Sequence, residues 1–217
     1  MTPLSRLANA AFELLYGPAA PIYDWVSRTG FAGEWARWQR VVLRYLHSGP
    51  VLEIGPGTGD LLPLLAAQGL RPCGVEPSSQ MIARARRKLA RLGQTLSLVR
   101  GRADALPFAD GAFGAIVATF PSAWVFQAAT WDEIARVLRP DGAVAIVLSG
   151  ELDPHGVGRA LRARVYRLLY QPLTPDHLPP PPPSAIPLRW EIVPTRHGRA
   201  LVLTGQKRVG QSGSALG

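Results

Sequence analysis

At 217 residues, 47% of them hydrophobic and 18% charged, the chain suits one α/β domain with a full core and would be crowded as two. No apolar run reaches the ~20 residues of a bilayer span, and no signal-peptide pattern opens the chain. The single cysteine, Cys73, excludes an internal disulfide, so a reducing, cytoplasmic setting is expected. The formal charge of +9 is carried almost wholly by arginine. It admits nucleic acid, an anionic membrane surface or acidic substrates as partners, but it is spread along the chain, as a solvated face would be.

Residues 4–16 read as an amphipathic helix, with Leu4, Leu7, Ala11, Leu14 and Leu15 at helical spacing and Gly17-Pro18 as its stop. A second helical segment holds Ile22 to Val26. A third runs from about Gly33 to Leu46 with Trp35, Trp38, Val41, Val42 and Tyr45. Residues 1–48 thus form a helical lid, in which Tyr23, Trp25 and Trp38 either cover a pocket or pack against the sheet edge. For the tryptophans core packing is the expectation.

Val51-Leu52-Glu53-Ile54 is a buried strand, and Gly55-Pro56-Gly57-Thr58-Gly59-Asp60 is the tight turn after it. The glycines keep side chains away, so that a ligand can approach the backbone. Leu61, Leu62, Leu64 and Leu65 then start a helix, with Asp60 in its first turn and Pro63 tolerated there. The spacing is G-x-G-x-G, not the dinucleotide G-x-G-x-x-G. Glu53 and Asp60 add negative charge that would repel a pyrophosphate but suits a cationic ligand. This stretch resembles motif I of the class I S-adenosylmethionine-dependent methyltransferases.

Arg71 to Glu76 is the second strand. Glu76 lies 17 positions beyond Gly59, near the spacing of a carboxylate that grips ribose hydroxyls. Ser78 or Ser79 caps a helix through Gly93. Met81, Ile82, Ala85, Leu89 and Leu92 form its apolar face, and Arg84, Arg86, Arg87, Lys88 and Arg91 its solvated one. Met81 is placed to touch an adenine or to fill the core. Leu96 to Arg100 is strand three, followed by the loop Gly101 to Phe108. Its Ala-Asp-Ala-Leu-Pro-Phe sequence resembles the adenine-recognising loop of the ubiquinone/menaquinone-type small-molecule methyltransferases.

Strand four is Ala115 to Phe120. Its carboxyl end faces the ligand crevice of an open α/β sheet, which brings Thr119, Phe120, Ser122 and Trp124 to the acceptor side. The Thr-Phe-Pro-Ser sequence there lacks the Asn/Asp-Pro-Pro-Tyr tetrad of many amino-directed DNA and protein methyltransferases. Thr130 to Leu138 is a helix, and Arg139-Pro140-Asp141-Gly142 turns into strand five, Ala143 to Leu148. Arg159 to Tyr170 is a basic amphipathic helix. Residues 171–187 form a proline-rich excursion, and Arg189 to Pro194 with Arg199 to Lys207 form a closing hairpin. Residues 208–217 are a loose tail, leaving 1–207 as one domain. The four histidines are scattered, and no metal site is expected.

The resemblance covers residues 20–150 and implies an α/β, Rossmann-like three-layer sandwich around a seven-stranded, mostly parallel sheet with an antiparallel last strand. It implies S-adenosylmethionine as cofactor, bound by Tyr23, Glu53, Gly55, Pro56, Gly57, Gly59, Glu76, Pro77, Met81, Ala103, Asp104, Ala105, Thr119 and Phe120. Within that set the Gly55–Gly59 backbone holds the methionine end. Asp104 and the N–H of Ala105 hold the adenine. The acceptor is a small or lipid-like, quinone-type molecule beside Phe120, Ser122 and Trp124, reached by in-line methyl transfer. No catalytic base is identified. The basic helices would allow peripheral contact with an anionic membrane. The alternatives are an inactive cofactor-binding regulatory module and, resting on charge alone, an RNA or DNA methyltransferase.

Overall fold

The structure is a computed structural model and describes residues 33–47, 49–153 and 180–208. Tyr23, Trp25, the helices expected at 4–16, 22–26 and 159–170, and most of the proline-rich excursion and the tail lie outside those residues. The chain runs through α1 (Glu34–Gln39) and a 3-10 turn (Arg40–Tyr45) to β1 (Pro50–Ile54), α2 (Leu62–Ala67) and β2 (Arg71–Glu76). Then follow α3 (Ser79–Arg91), β3 (Ser97–Arg100), β4 (Phe113–Thr119), a 3-10 turn (Ala123–Phe126), α4 (Ala128–Val137), β5 (Leu138–Leu152), β6 (Leu188–Thr195) and β7 (Gly198–Gln206).

One seven-stranded sheet carries these elements in the order β3-β2-β1-β4-β5-β7-β6. The strands β1 to β5 pair in parallel, and β7 pairs antiparallel with both β5 and β6. The last strand is therefore inserted, reversed, between two strands that run the common way, in agreement with the expected architecture. Period-two alternation explains the three layers. Val51, Val117, Ala145 and Val147 face one core with Trp38, Val41, Val42, Leu61 and Leu65. Their strand neighbours Leu52, Ile116, Ala118 and Ile146 face the other with Trp131, Ile134 and Val137 of α4. A smaller cluster joins α2 to α3 and β3 through Leu62, Ile82, Ala85, Leu89 and Leu98.

The expected helix over 33–46 is half α and half 3-10. Ser78 caps α3 by accepting from the Met81 N–H at 3.3 Å, as its position predicts. Asp60 is a correction: α2 begins at Leu62, so Asp60 precedes the helix, where it pairs with Lys88 and accepts from Thr58 Oγ at 2.9 Å. Lys88 accordingly leaves the solvated face of α3. The turn at 139–142 is a bulge inside β5, where Phe113 pairs with Leu138 and Ala115 already pairs with Ala143. Its Asp141 and Gly142 exchange backbone hydrogen bonds with Lys207 at the end of β7. Residues 180–187 precede β6 without joining the sheet, and Ile186 among them is buried in the second core.

The fit of α1 onto β5 leaves no slack. A Cβ at Gly150 would lie 2.1 Å from Cδ2 of the fully buried Trp38. Gly150→Ala is therefore expected to destabilise the fold by at least the ~1–3 kcal/mol of an overpacked core, seen as a lower urea midpoint with an unchanged slope.

Candidate active site

Glu53, at the end of β1, is 1% exposed, and its Oε2 is buried without a hydrogen-bond partner. Burial, and then the nearby charges of Asp60 and Glu76, push its carboxyl up from the usual 4.5 to about 8, against the smaller opposing pull of Lys88. A carboxylate so placed lacks a cation. Directly after it the chain turns through Gly55 and Gly57 at φ 70° and 54°, and a Cβ at either would meet nothing within 4 Å. A buried acid thus stands beside an open, side-chain-free loop, and an ammonium group fits that pairing.

The loop's N–H groups are turned into the protein. Gly55 donates to the Val75 carbonyl at 2.9 Å, Gly59 to the Pro56 carbonyl at 2.8 Å, and Gly57 to Glu76 Oε2 at 3.2 Å. These three donors cannot grip a ligand in this arrangement, which modifies the expectation that the loop backbone holds the methionine end. What the loop offers is space beside Glu53. Gly59 serves packing, because a Cβ there would lie 3.1 Å from Cβ of Ala85 on α3. Pro56 is buried against β2, its Cγ 2.9 Å from where a Gly74 Cβ would be.

Glu76, 7% exposed at the end of β2, is fixed by two backbone donors, Gly57 and, at 3.0 Å, Ser78. Burial raises its carboxyl while those two bonds pull it back. It is aimed and rigid, and its remaining lone pairs can take vicinal hydroxyls. Pro77 beside it is exposed, with its carbonyl accepting from Arg100 at 3.3 Å. Met81 is buried at the start of α3.

The third element differs from expectation. Asp104 holds Arg102 in a fork, at 2.9 and 2.8 Å, which keeps its carboxyl below the usual range. The Ala105 N–H donates to the Arg102 carbonyl at 3.2 Å and so closes the turn. In this arrangement the Ala105 N–H is not available to an adenine, Asp104 is shared with Arg102, and Ala103 is buried in the second core. Residues 101–112 belong to none of the helices or strands. Their backbone needs partners from elsewhere.

Sequence reasoning missed the source of those partners, on α4. Glu133 accepts from the Leu106 N–H at 2.6 Å. Arg136 donates to the carbonyls of Leu106 and Phe108 at 2.9 and 2.7 Å, to Asp110 at 2.8 Å and to Glu133 at 2.7 Å. The i, i+3 spacing of Glu133 and Arg136 was the only signal in the sequence, and it reads equally as a surface ion pair. Cys73 is half-buried and burial pushes its thiol up, which makes it a poor nucleophile.

At the carboxyl end of β4, Thr119 Oγ accepts from Gln39 at 3.2 Å, and Phe120 stacks on Trp35. Ser122 and Trp124 follow, both half-buried, with Trp124 against the second core. Thr119 and Phe120 thus sit with α1, another pairing that sequence spacing does not reveal. Among the described residues no cluster of three or more His, Cys, Asp or Glu could hold a metal, and no helix is long and apolar enough to cross a membrane.

Acidic ends on β1 and β2, an open glycine turn between them and one reversed strand define a class I methyltransferase. Comparison with known proteins agrees. Residues 51–142 match the family described as "Methyltransferase domain". The chain is 32% identical over 167 residues to a demethylmenaquinone methyltransferase of Thermus thermophilus, a match spanning 74% of each protein. It is 29% identical over 142 residues to a ubiquinone/menaquinone biosynthesis C-methyltransferase of Geotalea uraniireducens, covering 61% of this chain and 60% of that one. A solved S-adenosylmethionine-dependent methyltransferase from Aquifex aeolicus superposes with a TM-score of 0.53 at 15% identity, over 78% of this chain and 88% of that one. The chain belongs to the S-adenosylmethionine-dependent methyltransferases, in the branch that contains the ubiquinone/menaquinone-type enzymes.

Two outcomes are expected. Because folding raises the Glu53 carboxyl from 4.5 to about 8, the stability linked to it is complete below pH 4.5 and lost as pH rises through 8. Glu53→Gln should therefore melt higher than the native protein at pH 8, by roughly 2–4 °C per kcal/mol released, and alike near pH 4.5. Affinity for S-adenosylhomocysteine, measured by calorimetry, is expected to rise toward pH 8 in the native protein and not in Glu53→Gln. Separately, Arg136→Lys keeps the charge but not the fork. It should cost about 1–3 kcal/mol in urea unfolding and expose residues 101–112 to limited proteolysis.

Proposed function

We propose that this methyltransferase transfers its methyl group to a quinol-type small molecule, with Glu53, Gly55, Gly57 and Glu76 as the core of the cofactor site. The observation that carries the acceptor is the 32% identity, across 74% of both chains, with a demethylmenaquinone methyltransferase. The buried, unpartnered Glu53 supports the cofactor assignment, since the amino-acid end of S-adenosylmethionine supplies the missing ammonium. Glu76 accepts from the ribose hydroxyls, and Met81 and Pro77 flank the adenine. Asp104 joins them on exchanging its exposed Arg102 partner, an ion pair of small worth.

Bound S-adenosylmethionine supplies an electrophilic methyl on a positive sulfur. The chain's own part is positional. Glu53 and Glu76 fix the two ends of the cofactor, and β4 presents Thr119 and Phe120 to the acceptor. Holding two reactants collinear is worth up to ~7–11 kcal/mol of barrier. A quinol whose hydroxyl has ionised is nucleophilic at its ring carbon or oxygen. The acceptor's electron pair forms the new bond and the carbon–sulfur pair returns to sulfur; where carbon attacks, that ring carbon then releases its proton to solvent and aromaticity is restored. No basic side chain of the site is needed for that step. A hydrophobic acceptor would also give the basic segment 159–170 a use at an anionic membrane surface.

The test is anaerobic incubation with S-adenosylmethionine and a short-chain naphthohydroquinone, read by mass spectrometry. A singly methylated quinol and stoichiometric S-adenosylhomocysteine are expected. Methylation of other small acceptors with none of the quinols would overturn the acceptor assignment.

A further inference from the structure

The carboxyl end of β4 carries an irregularity that the cofactor site does not explain. Phe120, the residue after the strand, is held at φ 53°, a left-handed backbone that a bulky side chain adopts only under constraint. Two contacts impose it. The Phe120 N–H donates to the Val147 carbonyl of β5 at 2.7 Å, and its ring lies flat on Trp35, with centroids 3.7 Å apart and planes at 20°. Trp38 closes the pair edge-on, 6.3 Å from Phe120 and 6.5 Å from Trp35. Trp38 is wholly buried, whereas Trp35 and Phe120 are half-buried, so the stacked pair is the part of the cluster that reaches the surface. One turn along α1 from Trp35, Gln39 donates its amide to Thr119 at 3.2 Å, which sets a polar edge beside the rings.

We propose that Trp35 and Phe120 form the acceptor platform, and that the Gln39–Thr119 pair at its edge takes a ring oxygen of the acceptor. Strain is kept at this backbone position because the relaxed conformer would swing the Phe120 ring off Trp35. A flat ring bearing oxygen substituents matches an aromatic surface with a hydrogen-bonding rim, and an aliphatic or phosphate-bearing acceptor does not. That chemical class rests on the quinol reading above. The platform itself rests on the geometry of α1 and β4.

The experiment compares the native protein with Trp35→Ala, Trp35→Phe and Phe120→Gly, using a short-chain naphthohydroquinone for turnover. The oxidised naphthoquinone serves for binding to the S-adenosylhomocysteine complex by calorimetry. Phe120→Gly removes the ring while relieving the positive φ, so it tests the platform without unfolding it. Trp35→Ala and Phe120→Gly are expected to raise the KM for the quinol, and the Kd for the quinone, by about tenfold. Trp35→Phe should stay close to native, and S-adenosylhomocysteine affinity should be unchanged in both Trp35 variants. Unchanged quinol KM in Trp35→Ala and Phe120→Gly would overturn the platform while leaving the acceptor class standing. Parallel loss of S-adenosylhomocysteine affinity in Trp35→Ala would overturn it too, by showing a general effect on the fold. A native protein that binds the quinone in a Trp35-dependent way yet never methylates the quinol would support the platform and refute the proposed reaction. Absence of quinone binding to the native protein would overturn the platform.

Discussion

The burial of one unpartnered carboxylate constrains the rest of this molecule. Glu53 is sealed at the end of a central strand, with Asp60 and Glu76 close enough to disfavour its charge further. A buried ionised acid is costly unless a cation or donors meet it. Lys88 goes to Asp60 instead, and the Gly57 N–H goes to Glu76. Burial therefore keeps Glu53 largely protonated at neutral pH, and a cation beside it would draw its carboxyl back down. Several features follow from keeping that arrangement intact. The loop beside Glu53 has no side chains to fill it, and Pro56 and Gly74 lock it to β2. Gly59 lets α3 close to within contact of the loop.

The sheet positions this charge by topology. Strands β1, β2 and β4 end together, so Glu53, Glu76 and Phe120 come to one edge although 67 residues separate the first from the last. The reversed β7 lies between β5 and β6, and its long ladder with β5 carries the sheet past the end of β4. That extension gives Trp38 and α1 a surface to pack on. Without it the aromatic pair would have no support. On the opposite face the loop 101–112 lies outside the helices and strands, and the Glu133–Arg136 fork supplies hydrogen bonds to its backbone.

Much of this was legible beforehand, for identifiable reasons. Strand alternation, the capping Ser78 and the Gly-x-Gly-x-Gly turn are local patterns, dictated by backbone geometry within a few residues. Glu53 and Glu76 sit next to such patterns, so their positions at strand ends could be read. Asp60 was misplaced because its ion pair with Lys88 spans 28 residues, which no local pattern records. Asp104 and Ala105 sit on the expected loop. Whether their polar groups point outward depended on Arg102, two residues away and equally able to face solvent.

Residue type at short spacing was enough for the class of fold, the kind of ligand chemistry at the end of β1 and the order of the landmarks. Which donors the glycine loop keeps for itself, and that α4 clamps the loop 101–112, emerged from the folded chain. It alone brought Trp35 and Gln39 to Phe120 and Thr119. The α4 clamp and the contacts of α1 with β4 join residues 26 to 85 positions apart, and their energy comes from packing and burial, which exist only after the chain has closed around its sheet.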